Sequence, residues 1–194
     1  MTCTPVDEAC KKYQVGSFNV PTAGGVVPVT TGIIVGDTGQ NAKISLGVVK
    51  DGARSNASVS FVNGETLDLF PVNASDQMDA EIYLDSNSNQ WLIFIEDENT
   101  ATYYANEFSY TTIITYAGWL ASVNDSPLPA MNPILFTNAR WFSNWADWQP
   151  IPSSAAAYYI QWTLDKSPGL IQTTILIGSP PGTSFYLATC ATCS

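Results

Sequence analysis

The chain contains no histidine. That absence removes the commonest metal ligand and proton shuttle, and with it every Ser–His or Cys–His nucleophilic system. Acid–base chemistry, if there is any, must come from carboxylates, amides, tyrosines or a rare lysine. Basic residues are scarce as well, 7 against 17 acidic ones, which leaves a net charge of −10. Such a surface repels phosphates and argues against nucleic acid and anionic membranes as partners. No apolar run is long enough to cross a bilayer, so membrane insertion is not expected. Almost no apolar pattern of helical period occurs. Met1 leads into polar sequence through Lys12, with no visible signal peptide.

What is present is a β vocabulary. Thr, Ser, Val, Ile, Tyr and Trp abound, residues that suit pleated, half-buried surfaces. Short β-rich runs recur at even spacing, over residues 13–20, 30–35, 42–50, 57–62, 66–72, 79–84, 91–96, 103–110, 113–121, 134–141, 158–164, 172–177 and 184–189. Gly36-Asp37-Thr38-Gly39 and Asp51-Gly52 separate the early ones, and Asn63-Gly64 is a strong hairpin signal. The alanines in 153–159 mark the one place for a helical turn. The expected fold is therefore all-β, an antiparallel two-sheet sandwich formed by residues 13–194 and preceded by a polar arm over 1–12.

Four cysteines lie at the ends: Cys3 and Cys10, then Cys190 and Cys193. Disulfides are the expected state, with three pairings open. The alternative is a four-thiolate zinc site, but Cys-x6-Cys matches half of such a site poorly, and no metal or cofactor is expected. Asn-x-Ser triplets begin at Asn56, Asn73 and Asn124.

Ordered motifs bring a family into view. Gly16-Ser17-Phe18-Asn19-Val20-Pro21 resembles a G-S-F-x-V-P opening strand. Ile34-Val35-Gly36-Asp37-Thr38 through Ile44-Ser45-Leu46-Gly47-Val48 is similar to W-V-G-I-D-G followed by L-Q-x-G-V. Asn63-Gly64-Glu65-Thr66-Leu67 resembles a G-D-x-I turn, and Trp91–Glu96 with Asp97–Thr100 resembles W-x-I-x-I-x-D-x-T. Ala117-Gly118-Trp119-Leu120 stands where A-E-W-I is found. Phe136-Thr137-Asn138-Ala139 and Gly182-Thr183-Ser184-Phe185 complete the order. Together these resemble the glutamic peptidases, or eqolisins, across most of 16–189. The resemblance implies a concanavalin-like sandwich whose concave sheet carries a substrate groove.

The departures fall on the chemistry. In that family a Glu works as base and acid on a water, and a Gln amide stabilises the oxyanion. Here the Gln position is Ser45 and the Glu position is Ser122. Thr31 replaces a Trp, Gly118 replaces the first Glu of A-E-W-I, and the W-Y-E-W-x-P strand has no clear counterpart. A serine hydroxyl cannot serve as that base, so the glutamic-peptidase mechanism is not expected. The resemblance also implies that Ser45 and Ser122 come from neighbouring strands and share the concave face, with hydroxyls within about 10 Å.

Other constellations have bland readings beside their functional ones. Asp79 and Glu81 lie two apart on one strand and share a face, and Glu96, Asp97 and Glu98 form an acidic turn; both read as solvated surface. Lys43, two residues before Ser45, should lie on its face, although i, i+2 side chains rarely converge well enough for proton transfer. Trp141, Trp145 and Trp148, with Phe142, crowd one stretch, either as a stacking platform for sugars or a partner, or as a loop folded over the sandwich edge. Trp91, Trp119 and Trp162 fall inside strand patterns and read as core. The candidate binding set is thus Lys43, Ser45, Trp119, Ser122, Trp141, Trp145 and Trp148.

Three functions remain open. The first is a non-catalytic relative of glutamic peptidases, extracellular or at the cell surface, holding a polypeptide or glycan in the groove. The second is a structural subunit of an extracellular fibre, coat or shell that self-associates. The third is an acid hydrolase with a relocated active site.

Overall fold

The computed structural model describes residues 13–21, 28–36, 43–61, 65–85, 88, 90–109, 116–123, 132, 134–142, 148–150, 170–176 and 184–190. Every regular element among them is a strand. In chain order these are β1 (Tyr13–Asn19), β2 (Val29–Gly36), β3 (Lys43–Asp51), β4 (Arg54–Phe61), β5 (Thr66–Pro71), β6 (Gln77–Asp85) and β7 (Gln90–Asp97). They continue as β8 (Thr102–Phe108), β9 (Tyr116–Val123), β10 (Ile134–Phe142), β11 (Trp148–Pro150), β12 (Leu170–Leu176) and β13 (Ser184–Cys190). The sequence places most of them to within a few residues. It misses β11, which lies in the stretch read as an aromatic loop and pairs with β10. The expected turn at 153–159 and strand at 158–164 lie outside the described residues, as do the 1–12 arm, Cys3, Cys10 and Cys193.

The strands form two antiparallel sheets. The larger runs β12-β13-β10-β1-β6-β7-β8, with β11 added beside β10, and the smaller runs β5-β4-β3-β2-β9. Alternation, clearest in β7, builds the core between them. In β7 every second residue is buried: Trp91, Ile93, Ile95 and Asp97. The smaller sheet contributes Ile33, Val35, Ile44, Leu46, Val48, Val59 and Trp119, and the larger adds Phe18, Met78, Ile82, Ile134 and Phe136. Fully burying a side chain of this size stabilises by about 1.5–3 kcal/mol. Phe18 and Phe136, on paired strands, have ring centroids 5.6 Å apart. At one margin Phe61 of β4 meets Phe108 of β8 edge-on at 5.1 Å, joining the sheets.

Three glycines, Gly16 and the pair Gly32 and Gly47, are dictated by close approach. A Cβ on Gly16 would stand 2.6 Å from Trp119 Nε1, so the bare backbone of β1 makes room for that indole. Gly32 and Gly47 are cross-strand partners. A Cβ on Gly47 would fall 2.0 Å from the Thr31 carbonyl oxygen, a contact only backbone movement could relieve.

Candidate functional site

The outer face of the smaller sheet is where the family resemblance puts the groove. Since Ile33, Leu46 and Val59 point inward, their strand neighbours face out. Register aligns these into three rows. One is Ser60–Ser45–Ile34–Gly118, the next Ser58–Gly47–Gly32–Leu120, and the third Asn56–Val49–Thr30–Ser122. The floor built by β2, β3 and β4 is mostly of small residues, interrupted by Ile34, Val49 and Asn56, with Ser45 and Ser60 half-buried and Ser58 buried. Along the β4–β5 margin Ser60 Oγ and Thr66 Oγ1 lie 2.9 Å apart, and Asn56 Nδ2 donates to Asp68 Oδ2 at 3.4 Å. Within β4, β3, β2 and β9 the three rows bear no titratable side chain, and on β5 the middle row continues to Asp68, opposite Ser58.

Ser45 and Ser122 occupy register positions of the same parity, because their β2 partners Ile34 and Thr30 lie four residues apart. Their strands are not neighbours, however, since β2 runs between them. Two strand spacings across and four residues along separate the backbone positions by about 16 Å. That corrects the expected 10 Å. The β9 residue in Ser45's own row is Gly118, which carries no side chain. Lys43 sits one row beyond Ser45, opposite Gly36.

Trp119 keeps its core reading and leaves the binding set, a second correction. It is only 6% exposed and belongs to the core between the sheets rather than to the groove. Strand parity explains this, because Trp119 pairs with the inward-facing Ile33. The aromatic patch also divides. Trp141 pairs with Gln149, whereas Trp148 pairs with Phe142, so Trp141 and Trp148 occupy register positions of opposite parity. Trp145 lies outside the described residues. Cys190, at the end of β13, is placed by its pairing with Leu170 alone.

The larger sheet holds an arrangement that sequence reasoning missed. Its outer face carries the row Thr137–Ser17–Asp79–Glu96–Tyr103 across β10, β1, β6, β7 and β8. Asp79 and Glu96 are directly opposed carboxylates, and Ser17 Oγ donates to Asp79 Oδ1 at 3.1 Å. Partial desolvation raises the pKa of Glu98 from its ordinary value, and the charges of Asp79 and Glu96 push it the same way. Asp97 is no part of this group. It is buried, and its carboxylate accepts the Asn99 N–H at 2.9 Å and the Thr100 hydroxyl at 2.8 Å, which shapes the β7–β8 turn. The signal that could have found the Asp79–Glu96 pair is hairpin register, which needs the length of the β6–β7 connection. Exposed Tyr103 stacks on Phe94, centroids 6.1 Å apart, beside Glu96. Among the described residues, no three acidic or cysteine side chains are grouped so as to hold a metal ion.

Two solved structures are similar to this chain over nearly its whole length. Both are of Scytalido-glutamic peptidase, one with a peptide-based transition state analog and one with a transition state analog inhibitor. Each aligns with a TM-score of 0.60 and 14% sequence identity, covering 93% of both chains. At that identity the likeness shows the fold: this chain has the two-sheet sandwich of the glutamic peptidases. No protein-family model matches the chain, and no curated protein does.

Proposed function

We propose that the outer face of the smaller sheet binds an extended polypeptide without cleaving it. The observation that carries this reading is the composition of its rows. In place of a carboxylate and an amide stand Ser45, Gly118 and Ser122, in a floor otherwise made of Ser, Gly, Thr and aliphatic residues. Such a surface has hydroxyls to hydrogen-bond a backbone, and small residues that let a chain lie close. Across β4, β3, β2 and β9 it has no group to take a proton from water, and the carboxylate at the β5 margin, Asp68, is engaged by Asn56. The similarity to a peptidase solved with a peptide-based analog supports a polypeptide over a glycan.

The test has two arms. Denatured casein incubated with the protein between about pH 2 and pH 5, where a glutamic dyad would work, should remain uncut. Fluorescent casein peptides should bind, and Ser45→Tyr, which fills the floor, should weaken that binding by about tenfold or more. Cleavage by rigorously purified protein, or binding unchanged by Ser45→Tyr, would overturn the proposal. The extracellular setting and self-association expected from the sequence remain part of this proposal. A secreted fraction and a sedimentation profile would check them.

A further inference from the structure

Two of the three Asn-x-Ser triplets fall on described residues, and the structure treats them differently. Asn56-Ala57-Ser58 lies inside β4, a strand hydrogen-bonded on both sides, to β3 and to β5. Ser58 is 3% exposed, and the Asn56 amide nitrogen is engaged with Asp68 at 3.4 Å. Presenting this triplet to an enzyme would require breaking two ladders. A sugar on Asn56 Nδ2 would also intrude on the Asp68 contact at a half-buried position.

Asn73-Ala74-Ser75 lies in the turn between β5 and β6, where all three residues are exposed. The turn is rigid for a reason that leaves the acceptor accessible. Asp76, 8% exposed, accepts the Asn73 N–H on Oδ2 at 2.7 Å, and the Asp76 N–H reaches back to the Asn73 carbonyl at 3.3 Å. The Ser75 N–H is held by the Val20 carbonyl at 3.0 Å, with Ser75 at φ +74°. These bonds use the backbone of Asn73 and leave its exposed amide at the surface.

We propose that Asn73 is an acceptor for an N-linked glycan and that Asn56 is not. The donor class is a lipid diphosphate-linked oligosaccharide. The Asn73 amide nitrogen attacks the anomeric carbon, the C–N bond forms, and the bond to the diphosphate oxygen breaks. The nitrogen loses a proton, and the lipid diphosphate departs with the electron pair. This rests on the extracellular placement in the proposed function but is independent of what the groove binds.

The test is expression of the full chain behind a cleavable secretory leader in a eukaryotic host, with Asn124→Gln as the background. Because that host supplies transferase and donor, the outcome reports on the site whatever the native compartment. The expected result is one glycan per chain, removed by an amidase that converts Asn73 to Asp, and abolished by both Asn73→Gln and Ser75→Ala. Ser75→Ala keeps the asparagine, so loss of the glycan in both variants assigns it to the triplet rather than to misfolding. A secreted, folded chain unmodified at Asn73, or one carrying sugar at Asn56, would overturn the proposal. Casein-peptide binding by the glycosylated protein reports separately on the groove.

Discussion

Thr31 shows what a single side chain can cost. It is fully buried on the inner face of β2, and its hydroxyl has no hydrogen-bond partner. A hydroxyl stranded among Val48 and Ala121, its cross-strand neighbours, forfeits its hydration with nothing in return. Thr31→Val, which keeps the branched shape, is expected to stabilise the fold by about 1–2 kcal/mol, read as a higher urea midpoint with unchanged slope. The glycines act in the opposite direction. Gly16→Ala should cost about 1–3 kcal/mol, because its methyl must displace the Trp119 indole. Gly47→Ala should cost more, since it meets backbone rather than a side chain that can swing away. Comparing the two variants by chemical denaturation checks the order.

At the scale of elements, the β7–β8 hairpin depends on one buried carboxylate. Asp97 takes bonds from Asn99 and Thr100, while its carbonyl accepts the N–H groups of Thr100 and Ala101, the latter at φ +56°. Asp97→Ala removes both charge-assisted bonds that hold the turn and should cost about 1.5–3 kcal/mol, with amide exchange quickening first in β8, which lies at the sheet edge. Beside it, Glu98 makes the same hairpin sensitive to pH. Its pKa is raised in the folded state, so between the ordinary carboxylate value and that raised value the folded protein binds more protons than the unfolded chain. Stability therefore falls as pH rises through that window and recovers as pH falls. Urea midpoints taken from about pH 4.5 to pH 7 should decline for the wild type, and less steeply for Glu98→Gln.

For the molecule as a whole, the sandwich persists with 14% identity to a glutamic peptidase. Packing tolerates exchange of one apolar side chain for another provided volume and alternation are kept. A proton-transfer site tolerates no such exchange, because its function depends on particular atoms. The fold can therefore be shared although the rows of the smaller sheet across β4, β3, β2 and β9 contain neither Gln nor Glu. Replacing Ser45 by Gln and Ser122 by Glu should not create acid peptidase activity. About 16 Å of sheet separates those positions, too far for both groups to hold one water. Casein cleavage by the double variant at acid pH checks this, and activity would show that the register places the two groups closer than β2 allows.

Much of the architecture was legible without coordinates because period-two alternation and turn residues are local properties. Val59, Leu46 and Ile93 announce their faces through their neighbours, and Asn63-Gly64 announces that β4 turns back to pair with β5. The candidate site was less legible, because its geometry depends on register between strands distant in sequence. Nothing local to β9 says that Gly118, not Ser122, shares a row with Ser45. Nothing local to β7 separates Asp97, turned inward to hold a turn, from Glu96, turned outward to face Asp79. Composition and pattern alone determined that this chain would be an acidic β-sandwich without histidine chemistry. Tertiary structure decided which residues became neighbours, because cross-strand register is set by how two whole sheets bury their inner faces together.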